Sequence, residues 1–305
     1  MANKKKRRRR KQRSLFSVML TIVIIAAVCV AAIIGGIYLS GIRYMKVKVT
    51  DSSYVKFFGT VDDNGDPYKG KIIYSNGITA EVNLDRDQIS YSNGDVYEGE
   101  LDGLLKNGKG KIIYANGDIY EGEFVRDIIS GHGTYRYVNG DEYEGDFVNG
   151  LKAGEGSYLF ADGSRYTGSF ENDRKNGMGE YVYASGDSYI GTYSDDMKDG
   201  TGIYTWANGD VYDGTFADDL RTGTGIYTWA NGESYSGEFK DNMMSGHGTY
   251  RWPSGREYTG YFENGIIVRA ETNCPGGNGE YDGGPVPRTP SWGPTPRPQK
   301  MERQI

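Results

Sequence analysis

Residues 118–140 read Asp118-Ile-Tyr120-Glu-Gly122-Glu-Phe124-Val-Arg-Asp-Ile-Ile-Ser-Gly131-His-Gly133-Thr-Tyr135-Arg-Tyr137-Val-Asn139-Gly140. In the first half, Tyr120, Gly122 and Phe124 alternate with Glu121 and Glu123. Period-two alternation puts the aromatics and the glycine on one face and the acids on the other, as in a half-exposed strand. In the second half, Gly131, Gly133, Tyr135 and Tyr137 alternate with His132, Thr134 and Arg136, a second strand of the same polarity. Asn139-Gly140 follows and is expected to supply the tight turn, both residues taking positive φ. The stretch is a β-hairpin.

The hairpin recurs. Tyr97, Tyr120, Tyr143, Tyr166, Tyr189, Tyr212, Tyr235 and Tyr258 stand at one constant spacing, each followed two positions later by glycine. A period held without insertion defines a repeat array, which builds extended surfaces more readily than reaction centres. The fold class expected is an all-β repeat array: an elongated single-layer antiparallel sheet of 23-residue β-hairpins, preceded by one transmembrane α-helix. Forty-six glycines, and 26 tyrosines against 10 phenylalanines, suit short aromatic strands joined by many turns. Glycine between two aromatic positions leaves a gap that a neighbouring ring covers. At the ends of the second strands Tyr114, Tyr137, Phe160 and Tyr183 give way to Trp206, Trp229 and Trp252.

The register continues upstream in degenerate form. Phe57-Phe58-Gly59 aligns with Tyr97-Glu98-Gly99, and Gly70 to Gly77 matches Gly110 to Gly117. The unit beginning at Ala80 is cut short by the next one, which starts at Tyr97, and Val82 stands where glycine is expected. Such atypical units suit the ends of a solenoid. Beyond the regular repeats, Ile266 to Val268 is expected to close the sheet edge.

From Ser14 to Ile42 there is no charged residue, and Leu15 to Leu39 is almost wholly apolar. Twenty-five helical residues span roughly 37 Å, enough for a bilayer core of about 30 Å. Nine of the 35 basic residues lie in residues 1–13, directly before this segment; only Arg43, Lys46 and Lys48 follow closely. That asymmetry puts the N-terminus in the cytoplasm and the repeats outside it. A cleaved signal peptide has a shorter apolar stretch ending at a small-residue cleavage site. Here the run is long and no A-x-A site closes it, so an uncleaved anchor is expected. The organisation read from the chain is a basic cytoplasmic segment (1–13), a transmembrane helix (14–42) and a linker (43–56). Degenerate repeats (57–96), regular repeats (97–265) and a closing segment with a Pro/Gly-rich disordered tail (266–305) follow.

Beyond residue 13 there are 26 basic against 41 acidic residues, a net of −15. An array this acidic repels nucleic acid and anionic headgroups, so no nucleic-acid partner is expected. Catalytic signatures are lacking. His132 and His247 occupy the same slot five repeats apart, about 48 Å through the sheet, too far to share a metal. No G-x-S-x-G elbow occurs, and the recurring Gly-x-Gly opens no helix, so it is not a phosphate loop. Asp62-Asp63-Asn64-Gly65-Asp66 fails as a calcium loop because Pro67 and Ile73 stand where glycine and glutamate are needed. No catalytic residue, metal or cofactor is expected. Cys29 and Cys274, in the apolar segment and the tail, are not placed to form a disulfide.

The pattern Tyr-x-Gly-x-Phe, Gly-x-Gly-x-Tyr, Asn-Gly at a period of 23 resembles the MORN repeat (membrane occupation and recognition nexus), closely over 97–263 and loosely over 57–96. The resemblance implies a slightly twisted single sheet with an aromatic groove, used as a protein scaffold, dimerisation device or membrane-proximal module. No fused enzyme domain is expected. A groove face is expected at Tyr120, Tyr143, Tyr166, Tyr189, Tyr212 and Tyr235, with Trp206, Trp229 and Trp252 at its distal end. A one-layer sheet exposes part of its aromatic stripe, and exposed apolar patches tend to be contacts. Its occupant is left open between an unidentified protein, a second copy of the array and a cell-wall glycan; the membrane is engaged through residues 14–42.

Overall fold

The structure is a computed structural model describing residues 2–49 and 53–270, with backbone only for residues 2–16 and 269–270. The chain divides into two compact units, Met1–Asn107 and Gly108–Ile305. Among the described residues 21 strands belong to antiparallel sheet. The tail expected to be disordered lies, from residue 271 on, outside the described residues.

The first unit opens with α1 (Ala2–Leu39). Its segment Ser17–Leu39 is long and apolar enough to cross a membrane, and no residue of its most apolar stretch is buried by the fold. The helix stops earlier than residue 42. Gly41 takes φ +79°, and its N–H donates to the Tyr38 carbonyl at 3.2 Å, the left-handed ending that glycine permits without strain. Strands β1 (Ile42–Lys48), β2 (Tyr54–Val61), β3 (Pro67–Ile73), β4 (Thr79–Asn83), β5 (Gln88–Tyr91) and β6 (Val96–Asp102) follow. Residues 43–56, expected to be a linker, thus contain a strand: β1 pairs along its whole length with β2. Met45 and Val47 sit opposite Phe57 and Val55 on the inner face. This alternation is short and lacks the glycines that mark the later hairpins. The shortened unit at Ala80 forms two short strands, β4 and β5, around Leu84–Asp87.

The remaining strands are β7 (Leu105–Ile113), β8 (Ile119–Val125), β9 (Ile128–Arg136), β10 (Glu142–Val148), β11 (Leu151–Leu159), β12 (Arg165–Glu171), β13 (Arg174–Val182) and β14 (Ser188–Ser194). Then come β15 (Met197–Thr205), β16 (Val211–Ala217), β17 (Leu220–Thr228), β18 (Ser234–Lys240), β19 (Met243–Arg251), β20 (Glu257–Glu263) and β21 (Ile266–Ala270), the last being the expected closing segment. From β8 to β20 one row of directly opposed tyrosines runs across the sheet, beginning Tyr120–Tyr135–Tyr143–Tyr158. Beside it runs a row of opposed glycines, beginning Gly122–Gly133–Gly145–Gly156.

Two turn types alternate, and the tight one is not at Asn139-Gly140. There only Gly140 takes positive φ, at +97°. Tyr137 N–H donates to Asp141 O and Gly140 N–H to Tyr137 O, a three-residue loop ending in a glycine bulge. The Asn139 carboxamide oxygen accepts from Asp141 N–H at 2.8 Å, so asparagine serves through its side chain. The two-residue turn lies at the other end of the hairpin, where both central residues have positive φ: Asp195 and Asp196 at 49° and 73°, Asp218 and Asp219 at 49° and 69°. Asp and Asn tolerate that conformation through their short polar side chains.

The glycine row is dictated by contact. A Cβ on Gly225 would lie 2.6 Å from Cε2 and 2.8 Å from Cζ of Tyr212, whose ring covers it. Gly225→Ala is therefore expected to cost about 2–3 kcal/mol through overpacking. The check is a fall of several degrees in Tm.

Candidate functional site

The six tyrosines expected to line a groove are core residues. Tyr120, Tyr143, Tyr166, Tyr189, Tyr212 and Tyr235 are each 0% exposed. Each ring lies over the glycine pair of its own hairpin, and each hydroxyl donates to the main-chain carbonyl three residues on, as Tyr120 does to Glu123 at 3.0 Å. The rings are also gripped edge-on by two phenylalanines or tyrosines. Tyr120 stands 5.2 Å from Phe124 of its own strand and 5.3 Å from Phe147 of the next hairpin, at interplanar angles of 85° and 86°. Such edge contacts each contribute about 0.5–1.5 kcal/mol beyond area burial. A single layer closes its own aromatic face because glycine lets the rings lie flat. Of the tryptophans, Trp229 and Trp252 are buried, and Trp206 is half-buried against Tyr204 and Tyr227 at 4.5 and 5.2 Å.

In most pairs the second tyrosine is anchored through an aspartate; at Tyr181 the corresponding position is Ser164, whose hydroxyl oxygen accepts from Ala184 N–H at 3.0 Å. Tyr158 donates to Asp141 at 2.7 Å, and the other Asp141 oxygen accepts from Ala161 N–H at 2.8 Å. Asp187 and Asp210 repeat this with Tyr204 and Tyr227. Burial raises the pKa of Tyr120, Tyr143, Tyr166, Tyr183, Tyr189, Tyr193, Tyr204, Tyr212 and Tyr235 well above the ordinary phenol value.

A row of buried cations escapes sequence reasoning. Lys152, Lys175, Lys198 and Arg221 occupy the same position in successive repeats, and all are 0% exposed. Their charged ends sit among rings: Lys175 Nζ lies 5.7, 5.4 and 5.4 Å from the ring centres of Tyr166, Tyr181 and Tyr193. An aspartate of the following two-residue turn faces each lysine: Asp173 at 3.4 Å from Lys152, Asp196 at 3.9 Å from Lys175 and Asp219 at 3.2 Å from Lys198. The same carboxylate accepts the lysine's main-chain N–H at 2.8–2.9 Å. Arg221 meets Asn242 instead, and among the described residues its guanidinium nitrogens have no hydrogen-bond partner. Burial lowers the pKa of Lys152 and of Arg221, and brings Lys175 down to about 8. The recurrence of a basic residue at this slot is the available signal; a half-buried Lys106 begins the series, and Ile129 and Met244 fill the slot in two other repeats.

The outer face is where units differ. One row runs Glu121, Thr134, Glu144, Ser157, Thr167, Glu180, then Ile190, Ile203, Asp213 and Ile226. Ile190, Ile203 and Ile226 are 50%, 43% and 48% exposed. His132, on the same face, is exposed and pairs with Asp146 at 3.1 Å. Among the described residues no group of three or more His, Cys, Asp or Glu side chains is arranged to hold a metal.

These features define a solenoid of two-stranded units whose inner face is a self-packed tyrosine core and whose outer face is free to vary. The MORN-repeat model matches residues 97–119, 120–142, 143–165, 166–188, 189–211, 212–234 and 235–255, over half of the chain. The chain belongs to the MORN-repeat family. No curated protein matches it. Solved structures similar to it include the TCP10 domain of Danio rerio CPAP in complex with a Danio rerio STIL peptide, at 13% identity and TM-score 0.36, covering 72% of this chain and 100% of that one. Another is the SAS-4 (dCPAP) TCP domain of Drosophila melanogaster with a proline-rich motif of Ana2, at 17% identity and TM-score 0.30, covering 64% and 90%.

Proposed function

We propose that this chain is a non-enzymatic, single-pass membrane protein, N-terminus in the cytoplasm, whose MORN array serves outside the cytoplasm as a scaffold for protein–protein contacts. The observation that carries this reading is the outer-face change from charge to isoleucine. Ile190 is directly opposite Ile203, and Asp213 alone separates Ile203 from Ile226 in the row. Exposed aliphatics brought together on a rigid sheet, beside threonines such as Thr201, Thr205 and Thr224, offer a dry contact with hydrogen-bonding capacity at its rim. The buried tyrosines contribute rigidity rather than contact. Ser17–Leu39, preceded by nine basic residues, supports the anchor and its orientation.

Crosslinking and mass spectrometry on the full chain in its native membrane is the test. Crosslinks to a partner are expected to gather on β13–β17 and to fall about tenfold in Ile203→Asp, as for an interface anchor. Crosslinks indifferent to Ile203→Asp, retention on purified cell-wall polymer that depends on Trp206, or hydrolysis by the purified chain would each replace the scaffold reading. Protease added to intact cells should cleave the array; protection of the array where other external proteins are cut would reverse the orientation.

A further inference from the structure

On β1, β2 and β3 the outer face has a different chemistry from that of the array. These three strands carry no acidic residue, and five of their six basic ones, Lys46, Lys48, Lys56, Lys69 and Lys71, alternate onto that face. Three aromatic side chains stand out from the same face: Tyr44 is 66% exposed, Tyr54 44% and Phe58 47%. Tyr44 is directly opposite Phe58, and Phe58 is opposite Lys71. Lys46 is opposite Lys56. Like charges directly opposed across strands repel and are stabilised by a counter-anion. Among the described residues no carboxylate is within ion-pair distance of Lys46, Lys56 or Lys71; Lys46 instead rests over the Tyr54 ring at 4.3 Å. Acidic groups reach only the margin of the patch, where Asp85 is ion-paired with Lys69 on β3. Glu81 lies opposite Lys71 on β4, and Asp62, Asp63 and Asp66 lie in the β2–β3 turn, where an Asp62 oxygen accepts the Asn64 and Asp66 N–H groups.

The patch has little freedom to leave the end of α1. Only Ser40 and Gly41 separate Leu39 from Ile42, a reach of about 11 Å between Cα atoms. Arg43 clasps the junction: its guanidinium donates to the Tyr38 carbonyl at 2.8 Å and stacks on the Tyr38 ring at 4.0 Å. A cation at a helix C-terminus is also favoured by the helix dipole. Where α1 crosses a bilayer, Tyr44 and its neighbours are held at the depth of the headgroups. Aromatic side chains with polar tips and lysines with long apolar stems are the side chains that partition there.

We propose that the outer face of β1–β3, with Tyr44, Tyr54 and Phe58 interleaved with Lys46, Lys56 and Lys71, lies on the anionic phospholipid headgroups of the bilayer that α1 crosses. The headgroup phosphates supply the counter-charge that the opposed lysines lack, and the rings enter the interface between them. The site lies before the first residue that the MORN-repeat model matches, on β1 and the first degenerate hairpin, and it fixes the tilt of that hairpin rather than leaving it on a free tether. The inference rests on the reading of α1 as a membrane span.

The test uses the full chain in vesicles of phosphatidylcholine alone or with about 30% phosphatidylglycerol. Lysines are acetylated with a water-soluble reagent and each site is quantified by mass spectrometry, with the exposed array residues Lys109 and Lys240 as references. In the anionic vesicles Lys46, Lys56 and Lys71 should react about fivefold more slowly than the references, as expected for roughly 1 kcal/mol per basic residue at an anionic surface. The protection should be absent in phosphatidylcholine and lost in 1 M NaCl, where screening is nearly complete. Failure of the chain to float with vesicles on a density gradient overturns the anchor, and this proposal with it. Flotation with equal labelling in the two lipids overturns this proposal alone. Protection that persists in phosphatidylcholine, or in 1 M NaCl, assigns the patch to a protein surface such as a second copy and likewise overturns it.

Discussion

Raised above pH 10, the array should unfold within about one pH unit, and its tyrosines should ionise in the same transition. In the folded chain, burial holds nine tyrosines well above the phenol pKa of about 10 that they regain on unfolding. Above pH 10 the unfolded chain therefore binds fewer protons than the folded one, so stability falls as pH rises. Each group contributes up to ~1.4 kcal/mol per pH unit. Halved for water reaching the hydroxyl ends, nine groups still remove on the order of 6 kcal/mol per unit, against a total of about 5–15 kcal/mol for a folded domain. Lys175 acts in the opposite sense. Its folded pKa of about 8 lies below the free-lysine value, so between the two the unfolded chain carries the extra proton and stability rises with pH. Urea resistance should accordingly climb modestly from pH 8 to about 9.5 and then collapse. Tyrosinate absorbance at 295 nm, followed with circular dichroism, checks this: the two should change together and steeply. A gradual absorbance rise centred at pH 10 with the sheet intact would show that the rings are open to solvent.

How much of this is legible in the sequence follows from which properties are periodic along one strand and which arise between strands. The constant repeat spacing and the alternation about Tyr120, Gly122 and Phe124 specify strands, polarity and hairpin pairing within each unit, because each depends on near neighbours along the chain. The state of the tyrosine face depends on the next hairpin: Tyr120 is closed off by Phe147, a whole repeat further on, at a distance that alternation does not encode. The buried lysines are hidden for the same reason. At Lys175 the sequence shows only a charged residue near a turn, for which exposure is the ordinary reading. Its burial becomes tolerable because Asp196 reaches it from the turn of the following hairpin. The two turns exchange places because Asn-Gly is a strong signal for a two-residue turn, whereas Asp-Asp satisfies the same backbone demand less conspicuously. Strand β1 reads as a linker because its partner β2 has no regular repeat register. The basic face it completes is invisible until Lys46 and Lys56 are brought opposite each other.

Removing the charge of Asp219 should cost far more than removing the buried Lys198 that it neutralises. The repeats contain an internal series that supports this. Where the slot holds lysine, at 106, 152, 175 and 198, the matching position of the next turn holds Asp127, Asp173, Asp196 or Asp219, the last three facing the lysine. Where it holds Ile129 or Met244, that position is Gly150 or Gly265, whose N–H donates to the slot residue's carbonyl. An apolar side chain thus fills the slot when no counter-charge is present, which predicts that Lys198→Met is neutral within about 1 kcal/mol or stabilising. Asp219→Asn keeps an acceptor for Lys198 N–H and a side chain suited to φ 69°, as Asn242 does for Arg221. It leaves an ammonium at 0% exposure without its carboxylate, at an expected cost of about 3–5 kcal/mol. The double variant should recover most of that loss, because deleting the cation removes the penalty along with the charge. A double-mutant cycle of urea midpoints at pH 7 therefore should give a coupling of about 2–3 kcal/mol. Additive losses, or a Lys198→Met cost equal to that of Asp219→Asn, would mean that the lysine is retained for its own packing on the Tyr189 and Tyr204 rings, 5.8 Å away on each side.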